Sequence, residues 1–352
     1  MRQKVKDVER HIPGGSSKAR LALGLLVSGG LVAWLALGFQ WDQVFAAMTQ
    51  ARPGGLLLAV LLFTLAMATR ARAWQVLLGP GVPFGPVFWS LAVGFLFTTL
   101  LPFRLGEAAR VVALHQTAGV SWSLGISSVA VARLADAGLL ALTVLALAPR
   151  IMQGPEVLQQ PLIWVVGAFA GMVGGAWLVR RRRAWLRRLR HWAGERTSRR
   201  RWVARLEDLA QALEPLERPG TWLRFLGWKG LTWTLIALEH YVLLRMWFPE
   251  ATLLWAYWVV AVASLGVALP SAPGHVGTVQ AGILAALWPL QVDPNQALAL
   301  SLVKHGIYLG VTTILGLVGL SYTGLIWGRV WVKGQEQAGE EKAVPGRKSG
   351  EV

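Results

Sequence analysis

Four groups of residues that could do chemistry stand inside otherwise apolar stretches of the chain. Ionisable side chains are expensive in such surroundings, so each is a functional candidate. The first group is Arg104, Glu107 and Arg110, in the run Leu101-Pro102-Phe103-Arg104-Leu105-Gly106-Glu107. Gly106 opens a helix whose free N–H groups and positive dipole end favour an anion. Arg104 adds a fixed charge with a fork suited to phosphate or carboxylate. Glu107 and Arg110 are three apart, so they share a face and can pair. The structural alternative is that Glu107 caps the helix and neutralises an arginine. The second group is Arg133 and Asp136, again three apart on one face: a buried ion pair locking two helices, or a proton relay or ligand contact. The third is Ser271, Pro273, Gly274, His275, Gly277, Thr278 and Gln280. Here a second helix N-terminus would face the first, and Gly274 and Gly277 permit close backbone approach. His275 titrates near neutral pH unless hydrogen bonding satisfies it. The fourth is Lys304 and His305, with Tyr308 one turn on. Lys304 either serves a site or snorkels to an interface. Glu239 and His240 are further candidates, and Arg245 is an interface anchor.

The elements that must carry these residues are membrane helices. Only 15% of the 352 residues are charged and 54% are hydrophobic, against about 25% charged in soluble domains. Uncharged runs at 21–39, 84–101, 162–179 and 251–269 are long enough to cross a hydrocarbon core of about 30 Å. Weaker runs lie at 56–69, 122–148, 221–248 and 296–327. No A-x-A cleavage site follows 21–39, so it reads as a retained span. The net charge of +17 is unevenly placed. Six Lys/Arg lie in residues 1–20, twelve Arg in 180–205, and Arg70 and Arg72 follow the 56–69 run, while 40–53, 149–161, 249–250 and 289–294 hold only Arg52 and Arg150. By the positive-inside rule the basic segments face the cytoplasm, with both termini there and the protein in the cell membrane. The charge is therefore a topology signal, and nucleic acid is not an expected partner.

Residues 106–118 and 276–290 would form helices only about 20 Å long, each following a Pro/Gly break. Each therefore reads as half of a re-entrant hairpin, which survives at membrane depth only when buried in protein or lining a wet cavity. The expected fold is all-α: a polytopic helical membrane protein with about six full spans plus two re-entrant hairpins. Segments 56–148 and 221–327 form an inverted repeat, as in many secondary transporters. Residues 1–19 are a basic cytoplasmic N-terminus and 20–330 the transmembrane domain. A basic connector at 180–220 carries an amphipathic helix over 184–218, and 331–352 form a disordered cytoplasmic tail. The chain has no cysteine, G-x-S-x-G, H-E-x-x-H or P-loop, so neither a cofactor nor a metal site nor an enzyme activity is expected.

The run LPFRLGEAARVVAL (101–114), the R-x-x-D of Arg133 and Asp136, and the P-x-x-P-G-x-x-G of 270–277 resemble the transmembrane domain of lysylphosphatidylglycerol synthases. That domain also occurs alone in flippase-like membrane proteins, and the similarity spans roughly 20–330. In the bifunctional synthases this domain flips an aminoacylated phospholipid, and a separate soluble domain makes that lipid. No such soluble domain is read here, so the resemblance implies no aminoacyl transfer. Three positions depart from the family pattern: His275, Gln280 and Ala132. The resemblance implies a protein that binds and flips a lipid with an anionic or phosphate-bearing headgroup. Two opposed helix N-termini, Arg104 and Arg110 would hold that headgroup, with Arg133 and Asp136 in support. Membrane lipids are the expected partners, and self-association is left open. The alternatives are a membrane-embedded headgroup or glycosyl transferase, with Glu107, Asp136 or His275 as base, and a non-transporting assembly subunit docking through 184–218.

Overall fold

The structure, a computed structural model, describes residues 14–101, 105–152, 219–268 and 272–324. The expected span at 162–179, the connector at 180–220 except for its last two residues, the basic N-terminus up to residue 13, and the tail lie outside the described residues. Among the described residues there are ten α-helices and no strand. They are α1 (Gly14–Gly38), α2 (Trp41–Met48), α3 (Pro53–Leu78), α4 (Phe84–Leu100), α5 (Gly106–Ala118), α6 (Trp122–Ile151), α7 (Pro219–Trp247), α8 (Leu253–Ala268), α9 (Thr278–Leu287) and α10 (Pro294–Thr323).

Three of these, α3, α6 and α10, are long and apolar enough to cross a membrane. A fourth crossing arises if α1 and α2, bent by 92° at Gly38–Trp41, count as one broken span. At 29 residues α7 is as long as the crossing helices, but it carries Lys229, Glu239 and His240, all buried. The run read as 56–69 is part of a longer helix. Nothing interrupts it until Gly79-Pro80, so α3 continues for 26 residues and takes in Arg70 and Arg72.

Apolar side chains face outward. Leu57, Leu61 and Leu65 on α3, Leu134 on α6, Leu231 on α7, and Ile314 and Leu317 on α10 are all exposed. Small residues lie between the helices, as in membrane bundles. A Cβ on Gly316 or Gly319 of α10 would run into α4 at Leu96 and at the Trp89 carbonyl. Helices α3 and α7 cross antiparallel, with the Thr232 hydroxyl donating to that of Thr69 at 2.9 Å and Gly55 beside Met246.

Helices α4 and α5 form one antiparallel hairpin. Gly94 sits against Arg110 and the Gly106 carbonyl, and Gly106 against Thr98. Helices α8 and α9 form a second, with Gly266 against Gly282 and the Thr278 carbonyl. The two halves also match in detail. Helices α6 and α10 both have 30 residues and start 294 − 122 = 172 positions apart. The same offset relates their side-chain N-caps, Ser121 and Asp293. It also relates the left-handed residues Gly119 and Gln291 and the first residues of α5 and α9, Gly106 and Thr278. Contacts correspond too: α4 packs on α10 and α8 on α6, while α3 lies on α4 and α7 on α8.

Candidate functional site

Every helix from α3 to α10 contributes to a central cavity of about 350 Å³, a size within the range of small-ligand sites. The two hairpin tips meet beside it. Gly274, at φ 75°, lies against the Thr99 carbonyl of the first hairpin. Its own carbonyl accepts from His305 Nε2 at 2.8 Å. His305 Nδ1 lies 2.9 Å from the Gln280 amide nitrogen, and Gln280 also accepts from the Gly277 N–H at 2.9 Å. Gly277 needs its φ of 84° and packs on Ser28 and Leu31 of α1. Ser28 accepts the Ala272 N–H at 2.8 Å. The break at 272–277 is thus held by side chains from α1, α9 and α10, which satisfies backbone that no helix can.

One wall of the cavity is an ion network around Glu107. Its carboxylate pairs with Arg133 and lies 2.5 Å from Arg110. Glu107 stands in the first turn of α5, where the helix dipole favours a carboxylate. Asp136 takes Lys229 Nζ at 2.7 Å and Trp233 Nε1 at 3.2 Å. Each thus pairs across helices: Arg133 ties α6 to α5, and Asp136 ties α6 to α7. Arg110 is buried, with its guanidinium 4.9 Å from the Trp74 ring. It lines a separate cleft of about 20 Å³ with Arg70, Lys229 and Asp136. The cavity lining also holds Lys304, which is 3.3 Å from Glu239 and 4.9 Å from the Phe63 ring.

Of the candidates read from sequence, Glu107, Arg133, Asp136, His240, His275, Lys304, His305 and Tyr308 line the central cavity together. Gly106 and Gly277 serve close packing, and Gly274 supplies a carbonyl. Arg110 stands behind the wall. Arg104 and Ser271 lie outside the described residues.

Sequence reasoning missed Arg70, Lys229 and Trp233. Arg70 lines both cavities and, among the described residues, pairs with no carboxylate. In the sequence it follows the 56–69 run and reads as the cytoplasmic end of a span, but with no helix breaker before Gly79 it lies about 12 Å from the end of α3. Lys229 was open to the same argument that flagged Lys304. Around the two cavities stand Arg70, Arg110, Arg133, Lys229 and Lys304 against Glu107, Asp136 and Glu239. Among the described residues five cations face three acids, a surplus suited to an anion. Among the described residues no cluster of His, Asp and Glu side chains could hold a metal ion.

A family model described as the lysylphosphatidylglycerol synthase TM region matches residues 21–316. No curated protein matches the chain.

Proposed function

The chain belongs to the lysylphosphatidylglycerol synthase TM-region family, a membrane family linked to lipid handling, and from that premise we propose that it binds an anionic, phosphate-bearing lipid headgroup and carries it between leaflets. The observation that carries this reading is the cationic surplus around a central cavity inside an otherwise apolar exterior. A cavity of about 350 Å³ suits a headgroup, and the acyl chains would stay among the exposed leucines. Arg70 is the headgroup's first partner, because its charge is not committed to a carboxylate. Arg133 and Lys304 engage it as well, Arg133 while pairing with Glu107 and Lys304 while pairing with Glu239.

The matched halves favour a transporter. Inverted repeats with paired broken segments commonly hold their substrate near the midplane and expose it alternately. The 172-residue offset and the facing hairpin tips support that arrangement here. On this reading the two hairpins are re-entrant, both termini are cytoplasmic, and the protein sits in the cell membrane. The site moves its ligand without bond chemistry, and the lipids themselves are its partners.

The test is reconstitution into liposomes carrying fluorescent headgroup-labelled phosphatidylglycerol or phosphatidylcholine, followed by quencher access from outside. Wild type is expected to expose the inner-leaflet anionic probe, and Arg70→Gln to slow this at least about tenfold, the loss of one charge-assisted contact of about 1.5–3 kcal/mol. Wild-type behaviour identical to empty liposomes for both lipids overturns the reading. Release of labelled headgroup would instead mark a transferase.

A further inference from the structure

Behind the cavity wall stands a carboxylate that headgroup binding leaves unused. Glu239 on α7 is 0% exposed, and neither of its oxygens makes a hydrogen bond of good geometry. Two titratable groups approach it among the described residues. From α10, the Lys304 ammonium lies 3.3 Å from one oxygen. On its own helix, His240 Nδ1 lies 2.8 Å from the other. That same nitrogen is 2.9 Å from the Ile236 carbonyl. Among the described residues Lys304 is the lysine or arginine that pairs with Glu239.

The other groups near Lys304 are committed or neutral. His305 is held by Gly274 and Gln280. The rings of Phe63 on α3 and Tyr308 on α10 face the ammonium at 4.9 and 5.9 Å. Yet Lys304 and His240 also line the central cavity. One ammonium thus faces a buried carboxylate on one side and the headgroup space on the other.

We infer that binding of a phosphate-bearing headgroup is coupled to the uptake of one proton by Glu239. The inference rests on the proposed headgroup site. Arg70 and Arg133 also serve the headgroup, but among the described residues Lys304 is the lysine or arginine that pairs with Glu239, so an anion that draws this ammonium toward the cavity leaves the buried carboxylate uncompensated and favours its protonated form. A phosphodiester keeps its charge at neutral pH, so the proton goes to the carboxylate. It comes from the bulk solution by way of the cavity, which His240 also lines. When the headgroup leaves, Lys304 returns to Glu239 and the proton is expelled. With the cavity opened alternately to the two sides, a pH gradient would drive the lipid across.

The experiment titrates the detergent-solubilised full chain with dihexanoyl phosphatidylglycerol in weakly buffered solution. Tryptophan fluorescence follows binding and a pH indicator follows protons. Wild type is expected to take up about one proton per lipid bound, the stoichiometry of a single shared charge. Glu239→Gln is expected to bind lipid with no uptake. A second readout needs no variant: an infrared difference spectrum of wild type should gain a protonated-carboxyl band on lipid addition. Binding without proton uptake, or without that band, overturns the coupling alone. Equal uptake in Glu239→Gln assigns the proton elsewhere and also overturns it. Absence of binding by wild type overturns the headgroup reading and the coupling with it.

Discussion

Replacing Gly94 by alanine puts the close approach of the first hairpin to a direct test. The added Cβ would lie 2.8 Å from the Arg110 Cβ and 2.9 Å from the Gly106 carbonyl oxygen. Both atoms belong to α5 and neither is the tip of a flexible chain, so α5 must move away from α4 by about half an ångström. Overpacking of this kind costs about 1–3 kcal/mol, and a clash with backbone belongs near the top. Alanine returns up to about 1 kcal/mol of helix propensity over glycine, leaving a net loss of about 2 kcal/mol. Larger domains lose about 2–4 °C of melting temperature per kcal/mol, and a chain of this length sits at the low end. Gly94→Ala should therefore melt about 4 °C below wild type in detergent. Gly230 on α7 is the control, since nothing lies within 4 Å of its would-be Cβ. Gly230→Ala has only the propensity gain and should melt about 2 °C above wild type. The displaced α5 also carries Glu107 away from Arg133, so Gly94→Ala should weaken lipid binding while Gly230→Ala does not. A Gly94→Ala protein as stable as the Gly230→Ala protein would refute the packing argument, because the two changes differ only in what the methyl group meets.

Removing one member of the Lys229–Asp136 pair should be costly. Lys229→Met is expected to destabilise by about 3 kcal/mol, the low end for a broken buried pair, because the Asp136 side chain is 21% exposed and keeps Trp233 as a donor. Adding Asp136→Leu should recover most of that loss, and a double-mutant cycle by denaturant melts gives the coupling; purely additive effects would mean that the pair does not form. The two side-chain N-caps offer a matched comparison, with Ser121 accepting from the Leu124 N–H at 3.3 Å and Asp293 from the Gln296 N–H at 2.8 Å. Ser121→Ala and Asp293→Ala should each cost about 1 kcal/mol, and hydrogen exchange at the first turns of α6 and α10 should speed up locally. Unchanged exchange at either turn contradicts the cap assigned there.

Much of the architecture was legible because its causes are local. Apolar runs mark membrane helices, and Pro and Gly interrupt them whatever lies alongside. The short helices after Leu101 and after Gly277, the breaks before them, and the long helices ending each half all follow from residues near in sequence. So does the candidacy of Glu107, Arg133, Asp136, His275 and Lys304, since an ionisable group in an apolar run is conspicuous. Which charge meets which is not local. Arg133 and Asp136 share a helix face, and on sequence alone they could pair. The structure gives Arg133 to Glu107 on α5 and Asp136 to Lys229 on α7, because partners are chosen by which helices come within a few ångströms. Arg110 looked equally suited to hold an anion. Packing of α5 on α4 turns it behind the wall toward Trp74, and the neglected Arg70 faces the cavity instead. Periodicity determines that a side chain lies on a given face of its helix; only tertiary contact decides what that face looks upon, because Coulomb and hydrogen-bond energies depend on distances between segments far apart in the chain.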